Sequence, residues 1–77
     1  MKYNVDIEGH TDDVGRAEEN LDLSKRRASV VADYLIEKGV SSKRLHPRGF
    51  GQERPKAQNS TAEGRALNRR TEFTVWD

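Results

Sequence analysis

Along the first eight residues, Tyr3, Val5 and Ile7 alternate with Lys2, Asn4, Asp6 and Glu8. A period of two predicts a strand with one buried face. Gly9 ends the alternation. From there to Glu19 only Val14 and Ala17 are apolar, so the segment reads as a loop. Ala28, Val31, Ala32 and Leu35 then fall at helical spacing, and Ile36 widens the stripe. Asn20, Asp22 and Ser24 each suit the start of that helix as N-caps. Gly39 is placed as a left-handed terminator, with Val40 as its apolar companion. Leu45 to Phe50 is a weaker strand pattern, because Pro47 lacks a ladder donor and Gly49 loosens it; both point to a sheet edge. A loop around Pro55 follows. Ser60-Thr61-Ala62-Glu63 has capping-box spacing and opens a short helix through Ala66 and Leu67. Thr71, Phe73 and Val75 finally alternate with Glu72, Thr74 and Trp76 in a last strand.

The order strand, helix, strand, short helix, strand predicts one α+β domain over residues 1–77, a two-layer α/β sandwich on a small sheet. A strand-helix-strand crossover implies parallel pairing, and the helices are expected to cover one face.

Composition narrows the function. Seventy-seven residues make a domain near the lower limit of what one apolar core can hold. With no cysteine, neither a disulfide nor a thiolate metal site is available. Charged residues make up 35%, yet the net charge is only +1, which gives no general drive toward nucleic acid or an anionic membrane. No apolar run approaches the ~20 residues of a membrane span, and the N-terminus lacks a signal-peptide pattern. If the parent protein is exported, this chain is expected to be a fragment of it.

The candidate chemistry lies between His10 and Ala28. An acidic turn, His10-Thr11-Asp12-Asp13, follows the first strand, and Lys25, Arg26 and Arg27 are placed at the opening of the helix. Cations in a first helical turn oppose the macrodipole at ~0.3–1 kcal/mol each, so they read either as an anion site or as solvated surface charge. Arg27 borders the apolar stripe, and a guanidinium there offers a bidentate fork to a carboxylate. Asp12 sits just past the carboxyl end of a strand, where ligands of open α/β sheets gather. Together the two form a receptor for a small zwitterion, or simply an ion pair with each other. His10, Asp12 and Asp13 lack a distant further ligand, so no metal site is expected there, and His10 reads as a turn residue bonding locally. Neither a Gly-x-Ser-x-Gly turn nor a His-Glu-x-x-His helix is present, so no enzyme and no cofactor are expected. Arg65, Arg69 and Arg70 form a second basic cluster beside Phe73 and Trp76, but Glu63 and Glu72 break it up, which argues against nucleic acid. Asn68 is suited to cap there, and an arginine of this group to bridge to the acidic turn.

These residues in this order resemble the OmpA-like peptidoglycan-associating domains. The resemblance runs from Val5 to about Val75 and rests on several spaced motifs. They are Gly9-His10-Thr11-Asp12; Asn20 with Leu23-Ser24 and Arg27-Ala28; Gly49-Phe50-Gly51-Gln52 with Pro55; and Asn59 with Gly64-Arg65-Ala66 and Asn68-Arg69-Arg70. It implies non-covalent binding of the peptidoglycan stem peptide through its diaminopimelate, anchoring a periplasmic, outer-membrane or envelope protein to the wall. By the same resemblance Asp12 and Arg27 hold the ligand, and Asn20 and Arg69 flank it. Contact with a membrane would run only through other parts of the parent protein. Family domains begin with a further strand and helix, so a truncated fold on a small mixed sheet is expected here, with the last strand antiparallel and open at its edge. That edge suggests a homodimer or a domain swap. The alternative reading is a self-association or protein–protein module in which Asp12 and Arg27 only pair internally.

Overall fold

The computed structural model describes residues 3–77; Lys2 of the predicted alternation lies outside the described residues. Strand β1 (Asn4–His10) leads through a turn into helix α1 (Ala17–Glu37), then a 3-10 turn (Ser42–Arg44), β2 (Leu45–Gly51), α2 (Ala62–Asn68) and β3 (Arg70–Trp76). The sheet order is β2-β1-β3, with β2 parallel and β3 antiparallel to the central β1. The predicted element order and the edge position of the Pro47 strand both hold.

Val5 and Ile7 of β1 and Leu45 of β2 face Ala28 and Ala32 of α1, and Val31, Leu35 and Val40 close the rim. Ile7 and Ala28 are fully buried. The C-terminus of α1 is a complete Schellman cap: Gly39 adopts φ 102°, its N–H bonds to Ile36, and Val40 N–H bonds to Leu35.

Several expectations need correction. Gly9 does not end β1; it lies inside the strand, because a Cβ there would collide with the Ser24 carbonyl of α1. At Gly49 a Cβ would collide with Ser24 and Lys25. The helix therefore rests on bare backbone of two strands. Helix α1 also starts at Ala17, behind an extended Arg16 that makes no side-chain cap, and not at Asn20, Asp22 or Ser24. Asn20 and Ser24 resemble caps in sequence but are buried polar residues on the sheet-facing stripe. Lys25, Arg26 and Arg27 consequently lie in mid-helix, beyond the reach of the N-terminal dipole.

The second helix is capped by Thr61, whose hydroxyl accepts from Gly64 N–H at 3.0 Å; Ser60 bonds to Gln58 instead, so the capping box is not used. Only α1 packs broadly on the sheet, over β2 and β1. Helix α2 instead organises the preceding loop. Asn68, fully buried, accepts from Lys56 and Ala57 N–H at 2.7 and 2.9 Å and donates to Ala57 and Asn59, a clamp and not a helix cap.

Gly9→Ala is expected to destabilise the domain by roughly 1–3 kcal/mol or more, because the clash is with backbone that cannot yield cheaply. Gly15→Ala, where φ is 91° but open space surrounds the position, should cost only about 1 kcal/mol of backbone strain. Urea denaturation of both variants checks the ranking.

Candidate ligand-binding site

The chain leaves β1 at His10 and is caught at once. Thr11 N–H donates to the Gly51 carbonyl at 2.9 Å, at the end of β2. Gly51 needs no side chain: its φ is 57°, and a Cβ would lie 3.0 Å from the Leu21 backbone. Its own N–H donates to the buried Ser24 hydroxyl at 2.9 Å. Helix, strand and turn thus share one point of contact.

Asp12 follows, with its side chain only 12% exposed. One carboxylate oxygen, Oδ1, accepts from Val14 N–H at 3.1 Å, closing the turn. The other, Oδ2, accepts from Arg69 Nη1 at 2.7 Å. That guanidinium bond, with the Val14 amide and the positive charges of Arg69 and Arg65, holds the Asp12 carboxyl below its ordinary range against the opposing effect of burial. Asp12 is an anion by construction.

Asn20, on the first turn of α1, ties the segments together. Its Nδ2 donates to Gln52 Oε1 at 3.0 Å and to the Val14 carbonyl at 3.1 Å, with a longer 3.4 Å approach to the Asp12 carbonyl. The amide therefore links the turn, the helix and the segment after β2.

Arg27 stands seven residues after Asn20, about 20° short of two full turns and about 10.5 Å along the axis. Cα–Cβ bonds tilt toward the helix N-terminus, so its stem leans back toward the acidic turn. Arg27 is exposed and makes no hydrogen bond or ion pair with another described residue, whereas its neighbour Arg26 is paired with Asp22 at 3.0 Å. The expected alternative, an Asp12–Arg27 ion pair, is corrected here: the partner of Asp12 is Arg69. Of the four residues singled out in sequence, Asp12, Asn20 and Arg69 converge directly, and Arg27 is the uncommitted cation on the same side of the helix.

Sequence reading placed His10 in the turn with local bonds. It is instead the last residue of β1, 2% exposed, stacked on Phe50 at 5.5 Å between centroids, with neither ring nitrogen hydrogen-bonded. Gln52 and Ser24 support the site without being predicted to; the only signal of Gln52 is its place in the Gly49-Phe50-Gly51-Gln52 run, and Ser24 carries only the N-cap expectation. A shallow cleft of about 190 Å³ between Ala32, Ile36, Leu45 and Pro47 lies elsewhere, and Asp33 is its only charged lining residue.

Comparison with known proteins gives consistent results. The model of the OmpA family matches residues 1–69. Outer membrane porin F of Pseudomonas aeruginosa is 53% identical over 70 residues, covering 90% of this chain and 20% of that protein. The peptidoglycan-binding protein ArfA of Mycobacterium tuberculosis is 46% identical over 71 residues, covering 92% of this chain and 22% of that protein. Among solved structures, the peptidoglycan-associated lipoprotein of Burkholderia pseudomallei superposes with a TM-score of 0.91 at 31% identity, over 96% of this chain and 63% of that one. The chain spans about a fifth of the two curated relatives named.

Because Asp12 has a depressed pKa in the fold, its contribution to stability is complete above the ordinary carboxylate value of about 3.9 and is lost as pH falls through the folded value. Asp12→Asn should therefore flatten the acid limb of the stability–pH curve below about pH 4. Chemical denaturation across that range would show it; an unchanged limb would contradict the Asp12–Arg69 assignment.

Proposed function

The chain belongs to the OmpA family, and from that premise we propose that it is a non-catalytic module that binds peptidoglycan through the diaminopimelate of the stem peptide. In this reading it anchors a periplasmic or outer-membrane parent protein to the wall. The amino-acid end of diaminopimelate carries an ammonium and a carboxylate. Asp12 accepts from the ammonium: each of its oxygens is used once, and a carboxylate offers about four lone-pair sites. Arg27 takes the carboxylate in its free fork. Arg69 keeps Asp12 ionised and oriented, and Asn20 fixes the turn from the helix side. The observation that carries this reading is a buried, ionised Asp12 together with an exposed Arg27, two turns along α1 from Asn20, that has no partner among the described residues.

The names of relatives add support, since ArfA is described as peptidoglycan-binding and the Burkholderia lipoprotein as peptidoglycan-associated. A hydrolase would need a nucleophile or an activated water, whereas the two Asp12 oxygens are already engaged by Val14 and Arg69.

The two halves of the site respond differently to mutation. Arg27→Ala should leave stability within about 0.5 kcal/mol, because the side chain has no partner to lose. It should weaken binding of a diaminopimelate stem peptide about ten- to a hundredfold, since a charge-assisted bond contributes about 1.5–3 kcal/mol. Calorimetry with the soluble peptide checks this; unchanged affinity would remove Arg27 from the site. Asp12→Ala should lose binding and some stability together.

Self-association has its own observation in favour. Register pairs Phe73 with Ile7 and Val75 with Val5, which puts both on the helix side of the sheet, yet they are 55% and 61% exposed because α1 covers β2 and β1 instead. The outer side of β3 pairs with no strand among the described residues. Pro47 guards the β2 edge, but β3 carries no proline or bulge. A second copy pairing antiparallel about Phe73 would oppose Glu72 to Thr74, without like charges facing. Sedimentation at high micromolar concentration should show a dimer; a monomer there would exclude it.

A further inference from the structure

The face of the sheet away from α1 carries a second cluster that the peptidoglycan reading does not use. Glu8 and His10 project from alternate positions of β1, and Glu72 lies opposite Glu8 on β3. One ligand atom from each of the three lies within 4.8 Å of the others. His10 is the unusual member. Its ring is 2% exposed, both nitrogens are buried without a hydrogen bond, and Nε2 stands 3.8 Å from Glu8 Oε1. A buried imidazole with neither nitrogen bonded, facing Glu8 and within 4.8 Å of a Glu72 oxygen, is unsatisfied as it stands. We propose that Glu8, His10 and Glu72 form a binding site for a divalent transition ion of the zinc type, bridging β1 and β3.

The chemistry fits that class. Imidazole nitrogen with carboxylate oxygen suits Zn²⁺, whereas Ca²⁺ and Mg²⁺ take oxygen ligands. Two carboxylates neutralise the ion, and three protein ligands leave a fourth position for water. Zinc bonds of about 2.0–2.2 Å require the ligand atoms to draw closer than they now stand. Glu8 and Glu72 have 20% and 46% exposed side chains and can move; His10, packed on Phe50, need not. Arg70 Nε donates to Glu72 Oε2, which leaves Oε1 to ligate. Arg70 is itself held by the Asn68 and Arg54 carbonyls at 3.3 and 3.1 Å, so it orients the carboxylate as an outer partner does in metal sites. Burial, and then the charge of Arg70, hold His10 below its ordinary pKa, so the ring is neutral and able to ligate at pH 7. The charges of Arg70 and Arg54 oppose a bound cation and weaken the site.

The test titrates the 77-residue chain with zinc chloride, followed by calorimetry and by the ring nitrogens in NMR. The expected result is one equivalent bound, a large shift of the His10 Nε2 resonance, and a rise in Tm with zinc. Glu8→Gln and Glu72→Gln preserve shape and should each weaken binding at least tenfold. His46→Asn, on the same face but bonded to Asn4, should bind as wild type does. No binding at millimolar zinc would overturn the proposal. So would binding that survives both glutamine variants, or that is lost on His46→Asn.

Discussion

Everything in this small domain depends on how closely α1 lies on the sheet at Ser24. Gly9 and Gly49 present no side chains there, so helix backbone meets strand backbone. The gain is positional. With Ser24 pinned to the end of β2 through the Gly51 amide, the first turn of α1 is carried alongside the end of β1, and Asn20 arrives beside the Asp12 turn. The apolar core is slight: among the described residues five hydrophobic ones are buried, two of them alanines. Buried polar residues take over part of the structural role: Ser24 and Asn20 join the layers, and Asn68 clamps the loop before α2. A site built this way is rigid because its supports are the same bonds that hold the fold.

The electrostatics follow from that rigidity. A nearly buried carboxylate survives only when paired, and Arg69 supplies the pairing from the last segment of the chain to fold back on β1. Arg69 is half exposed, so the pair stays at the surface and the anion remains reachable. Arg27 has no such partner. In the proposed receptor one charge would thus be locked in place and the other left for the ligand.

Much of this was legible in the sequence, for physical reasons. Alternation in β1 and β3, the Ala28–Leu35 stripe and the Gly39 stop are direct images of burial and backbone geometry. Arg27 stands out because it borders the apolar stripe of the helix, and Asp12 because it follows the carboxyl end of a strand. The errors also have causes. Asn20 and Ser24 were read as caps since polar residues at a helix start usually are; here they are buried against turn and strand, which only tertiary contact reveals. Gly9 was read as a strand end because its reason lies in a helix that crosses it. The exchange of Arg27 for Arg69 as the partner of Asp12 was open in sequence, for both cations could reach the turn. The meeting of Glu8 and His10 with Glu72 was invisible, because it depends on the register between strands at opposite ends of the chain.

The central claim is that the Asp12 turn and the Arg27 face of α1 form one receptor for the ends of a zwitterion. NMR titration with a diaminopimelate-containing stem peptide tests it most directly. The expected result is a saturable set of shifts centred on Asp12, Val14, Asn20 and the Arg27 guanidinium, absent when lysine replaces diaminopimelate in the peptide. Shifts elsewhere on the domain, or none in a folded sample, would contradict it.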